Sequence, residues 1–234
     1  MALLDRQVTI WLNWGLDHLL PPALRDNLLV MGPLLRLVLG KQWREFAGFK
    51  ERALALSAPE LEATYKRLAG SHLQRATDLH PASIELVLQR VQGPTVLDVG
   101  CGRGYLARRL SKELQVEVVG LDILPPWGSS EKGAPRYCCG RADSLPFADK
   151  FFDTVICAHT LEHTVEPQVV IRELRRVTGR RLIIVVPRQR PYRYTFDLHL
   201  QFFPYPHTLD LLMGARVATT KVVGGELYYE EDLL

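Results

Sequence analysis

Two short stretches of this 234-residue chain carry residue types that could do chemistry. In the first, VLDVGCGRG, glycines occupy the alternate positions Gly100, Gly102 and Gly104, and an acidic residue, Asp98, stands two places before the first of them. Residues without a Cβ let the main chain come close to a ligand. A glycine-rich turn between a strand and its helix serves any nucleotide-type ligand, so the loop by itself selects none. A dinucleotide fingerprint would put its third glycine where this chain has Tyr105. A carboxylate at Asp98 would repel a diphosphate and draw a ligand carrying an ammonium group, directly or through water. Asp122 closes the next apolar run about twenty residues on, where a carboxylate can accept both hydroxyls of a ribose.

The second stretch, CAHTLEHT, sets His159, Glu162 and His163 at i, i+3 and i+4. On a helical turn these three would share one face. Histidine titrates near neutrality and is the natural base for a phenol or another acidic hydroxyl, so His163 and His159 are the candidate catalytic residues. The plainer account is that the histidine of LEH only fastens the loop.

The elements that must position these residues follow from periodicity. The first ninety residues read as helical. Trp11, Leu12, Leu16, Leu19 and Leu20 fall near helical spacing before Pro21-Pro22, Leu28 to Leu39 is a second apolar stretch, and Ser57-Ala58-Pro59-Glu60 is a capping box that starts a helix running to about Ala69. A further helix is expected from Pro81 to Val91, ending at Gly93-Pro94. From Thr95 onward strands alternate with helices: Thr95 to Val99, Val116 to Leu121, Arg136 to Cys139, Thr154 to Ala158 and Arg181 to Val186, with helices at Tyr105 to Lys112 and Glu166 to Val177. Near-continuous apolar runs such as LIIVV suit strands covered on both faces. Arg216 to Val223 and Glu226 to Tyr229, joined at Gly224-Gly225, predict a closing antiparallel pair. The expected fold is α/β, a doubly wound, mostly parallel, seven-stranded Rossmann-like sheet with a helical N-terminal appendage. The appendage is expected over residues 1–92 and the sheet domain over 93–234, with an insert at about 188–206.

VLDVGCGRG, VVGLDI with its Asp122, GRADSLPFADKFFDTVICAHTLEHT and ELRRVTGRRLIIVVP together resemble the class I S-adenosylmethionine-dependent methyltransferases, within them the type 11 group. The resemblance covers Thr95 to Pro187, does not reach the first eighty residues, and is loose after Arg188. It implies S-adenosyl-L-methionine as cofactor, held by Asp98, Gly100, Cys101, Gly102, Gly104, Tyr105, Asp122 and Ile123, with Cys101 contributing backbone. It also implies that Asp143 meets the adenine amino group, with Ala142 and Ser144 beside it. Some class I enzymes hold a divalent ion with an acid-and-histidine set, and His159, Glu162 and His163, joined by His199, resemble that set. A glutamate is usual where this chain has His159, a departure that weighs against a metal. A sulfonium methyl is already activated, so the protein mainly aligns the acceptor and, for a hydroxyl, removes its proton. The acceptor is expected at the carboxyl ends of the fourth and fifth strands.

The segment after the fifth strand, PRQRPYRYTFDLHLQFFPYPHT, is rich in aromatic residues and reads either as a lid over the acceptor or as a packed connector. Arg172, Arg175, Arg176, Arg180 and Arg181 are expected on an exposed helix end, whereas Arg188, Arg190 and Arg193 could face an anionic acceptor or an RNA backbone. With a net charge of +3 the chain as a whole is no polybasic nucleic-acid binder. Cys101, Cys138, Cys139 and Cys157 form no CxxC pair and no secretory leader precedes them, which predicts a cytoplasmic setting. Trp11, Trp14, Trp43, Phe46 and Phe49 in the front helices could cap the acceptor or touch a membrane surface. The expected activity is methyl transfer to an oxygen of a small or lipid-linked metabolite; the alternatives are an RNA or protein methyltransferase and a non-catalytic, cofactor-binding regulatory protein.

Overall fold

The computed structural model describes Leu16 and residues 20–69, 76–124, 133–215 and 219–233. Trp11, Leu12, Trp14 and Leu19 lie outside the described residues, as does Arg216, where the sixth strand was expected to begin. The chain divides into two units: Met1–Arg75 with Arg190–Gln201, and Ala76–Gln189 with Phe202–Leu234.

The second unit is built on a seven-stranded sheet. Its strands are β1 (Thr95–Val99), β2 (Glu117–Asp122), β3 (Arg136–Cys139), β4 (Phe152–Ala158), β5 (Thr178–Pro187), β6 (Lys221–Val223) and β7 (Glu226–Asp232). They lie in the order β3-β2-β1-β4-β5-β7-β6. β1 to β5 are parallel, and β7 runs antiparallel to both β5 and β6. Side chains alternate across a strand, so each strand feeds two cores. Leu97, Val99, Val155, Cys157, Leu182 and Ile184 pack with Val170, Ile171 and Leu174 of the helix Pro167–Val177. Val96, Ile156, Ile183 and Val185 pack on the other face with Ile84 and Val87 of the helix Pro81–Arg90 and with Leu106 and Leu110 of the helix Tyr105–Leu114. Cover on both faces is why the strands read as unbroken apolar runs.

The helix Pro81–Arg90, read with the front segment from sequence, lies on the sheet because its apolar stripe finds its burial there. This unit accordingly begins at Ala76. His80 Nδ1 accepts the Ala82 N–H (3.1 Å) and caps that helix. Gly224 (φ 58°) and Gly225 (φ 87°) are both left-handed, as a two-residue hairpin between β6 and β7 requires. β6 is short because the Thr219 and Thr220 N–H groups donate instead to Asp210 Oδ1 (3.3 and 3.0 Å), beside the helix Pro206–Met213.

The first unit contains the helices Pro22–Arg25, Leu28–Leu39, Trp43–Ala47, Phe49–Ala53 and Ala58–Ala69. Asn27 caps the second by accepting the Leu29 N–H (2.8 Å). The Ser57 N–H donates to Glu60 Oε2 (2.8 Å), the reciprocal half of the expected capping box. The aromatic segment after β5 completes this unit's cores. Tyr194 and Phe196 join Leu16, Met31 and Leu35, and Leu198 joins Phe46, Phe49, Ala53 and Leu68. Lys50 Nζ donates to the Tyr192 carbonyl (2.5 Å), and the Tyr65 hydroxyl to that of Leu198 (3.3 Å). Residues 190–201 thus pack as part of the helical unit's interior. Where they leave and rejoin the sheet unit, the Gln189 N–H donates to the Phe203 carbonyl (3.3 Å).

Candidate active site

The glycine corner at the carboxyl end of β1 is left-handed at all three glycines, with φ of 74°, 50° and 71° at Gly100, Gly102 and Gly104. Two of them are hemmed in. A Cβ on Gly100 would fall 1.8 Å from Thr160 Oγ1, and one on Gly104 would fall 2.3 Å from the Tyr137 hydroxyl. A Cβ on Gly102 would meet nothing within 4 Å among the described residues. Gly100 and Cys101 donate their N–H groups to the Leu121 carbonyl (2.7 and 3.1 Å), which ties the turn to β2. Asp98 is buried on β1, and its Oδ2 accepts no hydrogen bond from any described residue. Burial, reinforced by the charge of Asp122, pushes the Asp98 carboxyl up to about 7.

Asp122 ends β2 and braces the corner. Its Oδ2 accepts the Gly102 N–H and its Oδ1 the Leu124 N–H, both at 2.8 Å. Ile123 follows it at the mouth of the turn, half-buried, and Tyr105, also half-buried, starts the helix that leaves the glycines. Asp143, expected free to meet an adenine, is held by Arg141, whose Nε donates to Oδ1 at 2.9 Å. Ser144 pairs with Arg141 across this tight turn, and Ala142 packs against the sheet core. The turn is fastened from behind: the Leu145 N–H donates to Glu173 Oε2 and Arg176 Nη2 donates to the Leu145 carbonyl, each at 2.9 Å.

The structure keeps His159, Glu162 and His163 close together but on no common helical face. Only Leu161–His163 form a short 3-10 turn, while His159 lies before it with a left-handed backbone (φ 50°). His159 Nε2 is 3.0 Å from Glu226 Oε1, and its Nδ1 is 3.9 Å from Glu162 Oε1. Glu226 Oε1 also accepts the His80 N–H (2.9 Å). β7 is antiparallel, so its first residue, opposite Pro187, arrives at the same edge as the ends of β1 and β4. Burial pulls the His159 imidazole down, but the Glu226 hydrogen bond and the charges of Glu162, Glu226 and Asp78 outweigh it and raise its pKa above the ordinary histidine value. Glu162 is fully buried, and neither of its oxygens accepts a hydrogen bond from a described residue. His163 is half-buried on the turn, its N–H donating to the Thr160 carbonyl (3.0 Å).

Sequence reasoning missed Glu226, Thr160, Tyr137 and Arg141. Arg141 had a local signal, two residues from Asp143; Glu226 had none. Arg172 and Arg180 are exposed as expected, whereas Arg175 and Arg176 are half-buried and Arg181 is buried. Arg181 pairs with Asp232 (2.7 Å), Arg175 with Glu231 (2.6 Å), and Arg180 with Asp153 (2.9 Å). Arg176 bridges Glu173 (2.7 Å) and Asp149 (2.9 Å). Beyond β5, Arg188 Nε donates to the Pro204 carbonyl (3.1 Å) and Arg193 pairs with Glu51 (2.5 Å) in the helical unit.

The sequence profile of a methyltransferase domain matches residues 97–184, the span that holds the glycine corner, both aspartate turns and the end of β4. Within the sheet unit, residues 97–184 are thus similar to the methyltransferase domains that use S-adenosylmethionine. A solved S-adenosylmethionine-dependent methyltransferase from Aquifex aeolicus aligns over 72% of this chain and 97% of its own, with a TM-score of 0.52 and 20% identity, a likeness of fold. The chain is 34% identical to the uncharacterized methyltransferase YcgJ of Bacillus subtilis over 38% of this chain and 39% of that protein. It is likewise 34% identical to a ubiquinone biosynthesis O-methyltransferase of Xanthomonas euvesicatoria over 40% of this chain and 43% of that one. It therefore spans less than half the length of these curated relatives.

Proposed function

We propose that this protein transfers a methyl group from S-adenosyl-L-methionine to an oxygen of a small or lipid-linked acceptor. The observation that carries the reading is the corner itself: a bare, outward-facing Gly102 beside a buried Asp98 carboxylate whose Oδ2 has no donor among the described residues. An ammonium group supplies that donor, and a diphosphate does not. In this reading Asp98, the backbone of Gly100, Cys101, Gly102 and Gly104, and the flanking Tyr105 hold the amino-acid end of the cofactor. Asp122 and Ile123 hold the ribose, and Ala142, Asp143 and Ser144 the adenine. Held by these residues, the cofactor would supply an already activated methyl, leaving this chain to align the acceptor oxygen and take its proton.

Of the two histidines expected to act as base, His159 has the better arrangement. Glu226 accepts from its Nε2–H, which fixes the ring and leaves Nδ1 to take the proton of the acceptor hydroxyl. His163 is the second candidate, on the adjoining turn. Glu226 holds Nε2 of His159, so a metal at His159, Glu162 and His163 would take its Nδ1, 3.9 Å from Glu162 Oε1. An oxygen acceptor accords with the ubiquinone O-methyltransferase relative. A lipid-linked one accords with the exposed Leu29, Leu37 and Leu54 of the helical unit, although no helix among the described residues is long and apolar enough to cross a membrane. The pairing of the Arg175, Arg176, Arg180 and Arg181 side chains with carboxylates counts against an RNA track along them.

The test is calorimetric titration with the cofactor followed by incubation with methyl-labelled cofactor and fractionated cell extract. Binding with label in small molecules or lipids supports the reading. Label in RNA or protein selects those enzymes instead, and binding with no transfer to any fraction selects a regulatory protein.

A further inference from the structure

The helix Leu28–Leu39 turns the wrong kind of side chain to solvent. Met31 and Leu35 face the core of the helical unit. Leu29, Pro33 and Leu37 stand at i, i+4 and i+8, which makes them one stripe along another side, and all three are exposed, Leu29 by 86% and Leu37 by 80%. Arg36 is the only residue of this helix with a charged or polar side chain. A surface helix ordinarily turns charged and polar residues outward, so the stripe is the reverse of what water selects.

The charges beside the stripe have one sign. Arg36 adjoins Leu37, and Lys41 and Arg44 follow the end of the helix; all three are exposed, and none forms an ion pair among the described residues. Arg44 lies over the Trp43 ring at 5.4 Å, and that ring packs on Gly32, 3.8 Å from where a Cβ would stand, so these groups are held against the same helix. The acids that could answer the cations are engaged elsewhere. Asp26 accepts the Arg193 N–H (2.6 Å), Glu45 pairs with Arg67 (2.8 Å), Glu51 with Arg193 (2.5 Å) and Glu62 with Lys66, and Glu60 accepts the Ser57 N–H (2.8 Å).

These features select among occupants. A second copy docked about a two-fold axis would bring Arg36, Lys41 and Arg44 against themselves. A protein partner makes about one hydrogen bond per 100–200 Å² of interface, and the stripe offers none besides those of Arg36. An anionic bilayer needs none: it takes apolar side chains among its acyl chains and cations among its headgroups, with tryptophan at the boundary. At about 1.5 Å per residue the helix is about 18 Å long, short of a hydrocarbon core of about 30 Å, so it would lie along the surface and not across it.

We propose that the helix Leu28–Leu39 docks this chain on an anionic membrane surface, with Leu29, Pro33 and Leu37 entering the acyl region and Arg36, Lys41 and Arg44 meeting lipid phosphates. The docking needs only the helical unit and is independent of the methyltransferase reading.

The experiment is cosedimentation of the full chain with vesicles of phosphatidylcholine alone and of phosphatidylcholine carrying about 30% phosphatidylglycerol, in about 0.1 M salt. Partitioning onto the anionic vesicles should be at least about tenfold stronger, and should weaken at least about threefold in roughly 0.5 M salt. Leu29→Ser/Leu37→Ser withdraws the apolar stripe and Arg36→Glu/Lys41→Glu reverses the charge beside it; each should weaken partitioning at least about tenfold. All four side chains are exposed, so both variants should keep the parent's circular dichroism spectrum and melt within about 3 °C of it. Leu211→Ser replaces a leucine of similar exposure (75%) on the helix Pro206–Met213 of the sheet unit and should partition as the parent does. Binding to neither kind of vesicle, equal binding to both, or either double variant within about threefold of the parent overturns the proposal. Equal weakening in Leu211→Ser also overturns it, by tracing the binding to exposed leucines at large. Self-association of the parent in sedimentation velocity that Leu29→Ser/Leu37→Ser abolishes overturns it too, by giving the stripe to a second copy.

Discussion

His159 Nε2 lies 3.0 Å from Glu226 Oε1, a pairing that joins the end of β4 to the start of β7 across 67 residues of sequence. It gives the imidazole a fixed orientation and sets the acid–base behaviour of the edge, because the carboxylates around His159 overcome its burial and raise its pKa. The neutral imidazole, the form able to accept a proton, therefore becomes dominant only above the usual histidine range near pH 6.5.

Glu226→Gln should move the rising limb of the kcat/KM profile to lower pH, since it removes the largest upward influence on His159 and leaves burial in place. Stability follows the same signs. The raised histidine contributes fully below its unfolded pKa and loses its contribution as pH rises through its folded value. Glu226, whose carboxyl is buried but held down overall by the His159 hydrogen bond, contributes above its unfolded pKa and loses that as pH falls. The variant should cost roughly 1.5–3 kcal/mol near pH 6 and less at pH 9, read by denaturant titration at both values. A rising limb that stays put would remove His159 from the proton path.

Asp98→Asn should separate stability from function. A carboxyl raised to about 7 by burial and by Asp122 penalises the folded state increasingly as pH climbs from its unfolded value toward 7. The unliganded variant should be more stable than the parent at pH 8, on the order of 2–4 kcal/mol, and indistinguishable near pH 3. Cofactor affinity should move the other way. In the parent it should weaken as pH falls below 7, by up to about tenfold per pH unit, and the variant should bind weakly at every pH. Calorimetric titrations from pH 5.5 to 8.5 test both halves.

What the sequence could reveal divides by distance along the chain. Gly102 and Asp122 meet because one strand–helix–strand unit returns the end of β2 beside the first turn; their spacing placed Asp122 near the glycines, and the 2.8 Å contact with the Gly102 N–H is what the structure adds. The two-faced sheet was legible for the same reason, since apolar runs such as Leu182 to Val186 carry their burial in their composition. The spacing of His159, Glu162 and His163 suggested a shared helical face, but the left-handed backbone at His159 breaks that register. The partnership with Glu226 had no local trace, because it depends on β7 joining β5 antiparallel. The same is true of Arg175 and Arg181: their density was readable, whereas their carboxylates, Glu231 and Asp232, come from β7. The aromatic segment after β5 announced itself as more than a connector, yet its destination in the helical unit's core is set by Met31, Leu35, Phe46 and Phe49, far upstream.

Substitutions within the glycine corner should divide by what surrounds each position. Gly100→Ala places a methyl 1.8 Å from Thr160 Oγ1 at a left-handed φ of 74°, so it should destabilise the sheet unit by several kcal/mol and lower its melting temperature. Gly102→Ala meets no neighbour among the described residues and should cost only about 1–2 kcal/mol for its left-handed backbone. If the space outside Gly102 belongs to the cofactor, that variant should remain folded and lose at least about tenfold in cofactor affinity. A folded Gly102→Ala protein with parental affinity would place the cofactor elsewhere.

Asp122 offers the closing test, because it holds the corner together and is also assigned to the cofactor. Asp122→Asn keeps one side-chain acceptor but must give up either the Gly102 N–H or the Leu124 N–H, whereas Asp122→Ala gives up both. Each lost bond should cost about 1–2 kcal/mol of stability, and removing the Asp122 charge should also relieve Asp98, whose carboxyl would drop below its present value near 7. The two effects oppose each other, so Asp122→Asn should be close to neutral for folding at pH 8 and Asp122→Ala clearly destabilised. If Asp122 also takes the ribose hydroxyls, both variants should bind S-adenosylmethionine at least about tenfold more weakly, while a cofactor fragment without the ribose, methionine alone, should bind them as it binds the parent. Equal weakening toward methionine and the whole cofactor would confine Asp122 to bracing the loop.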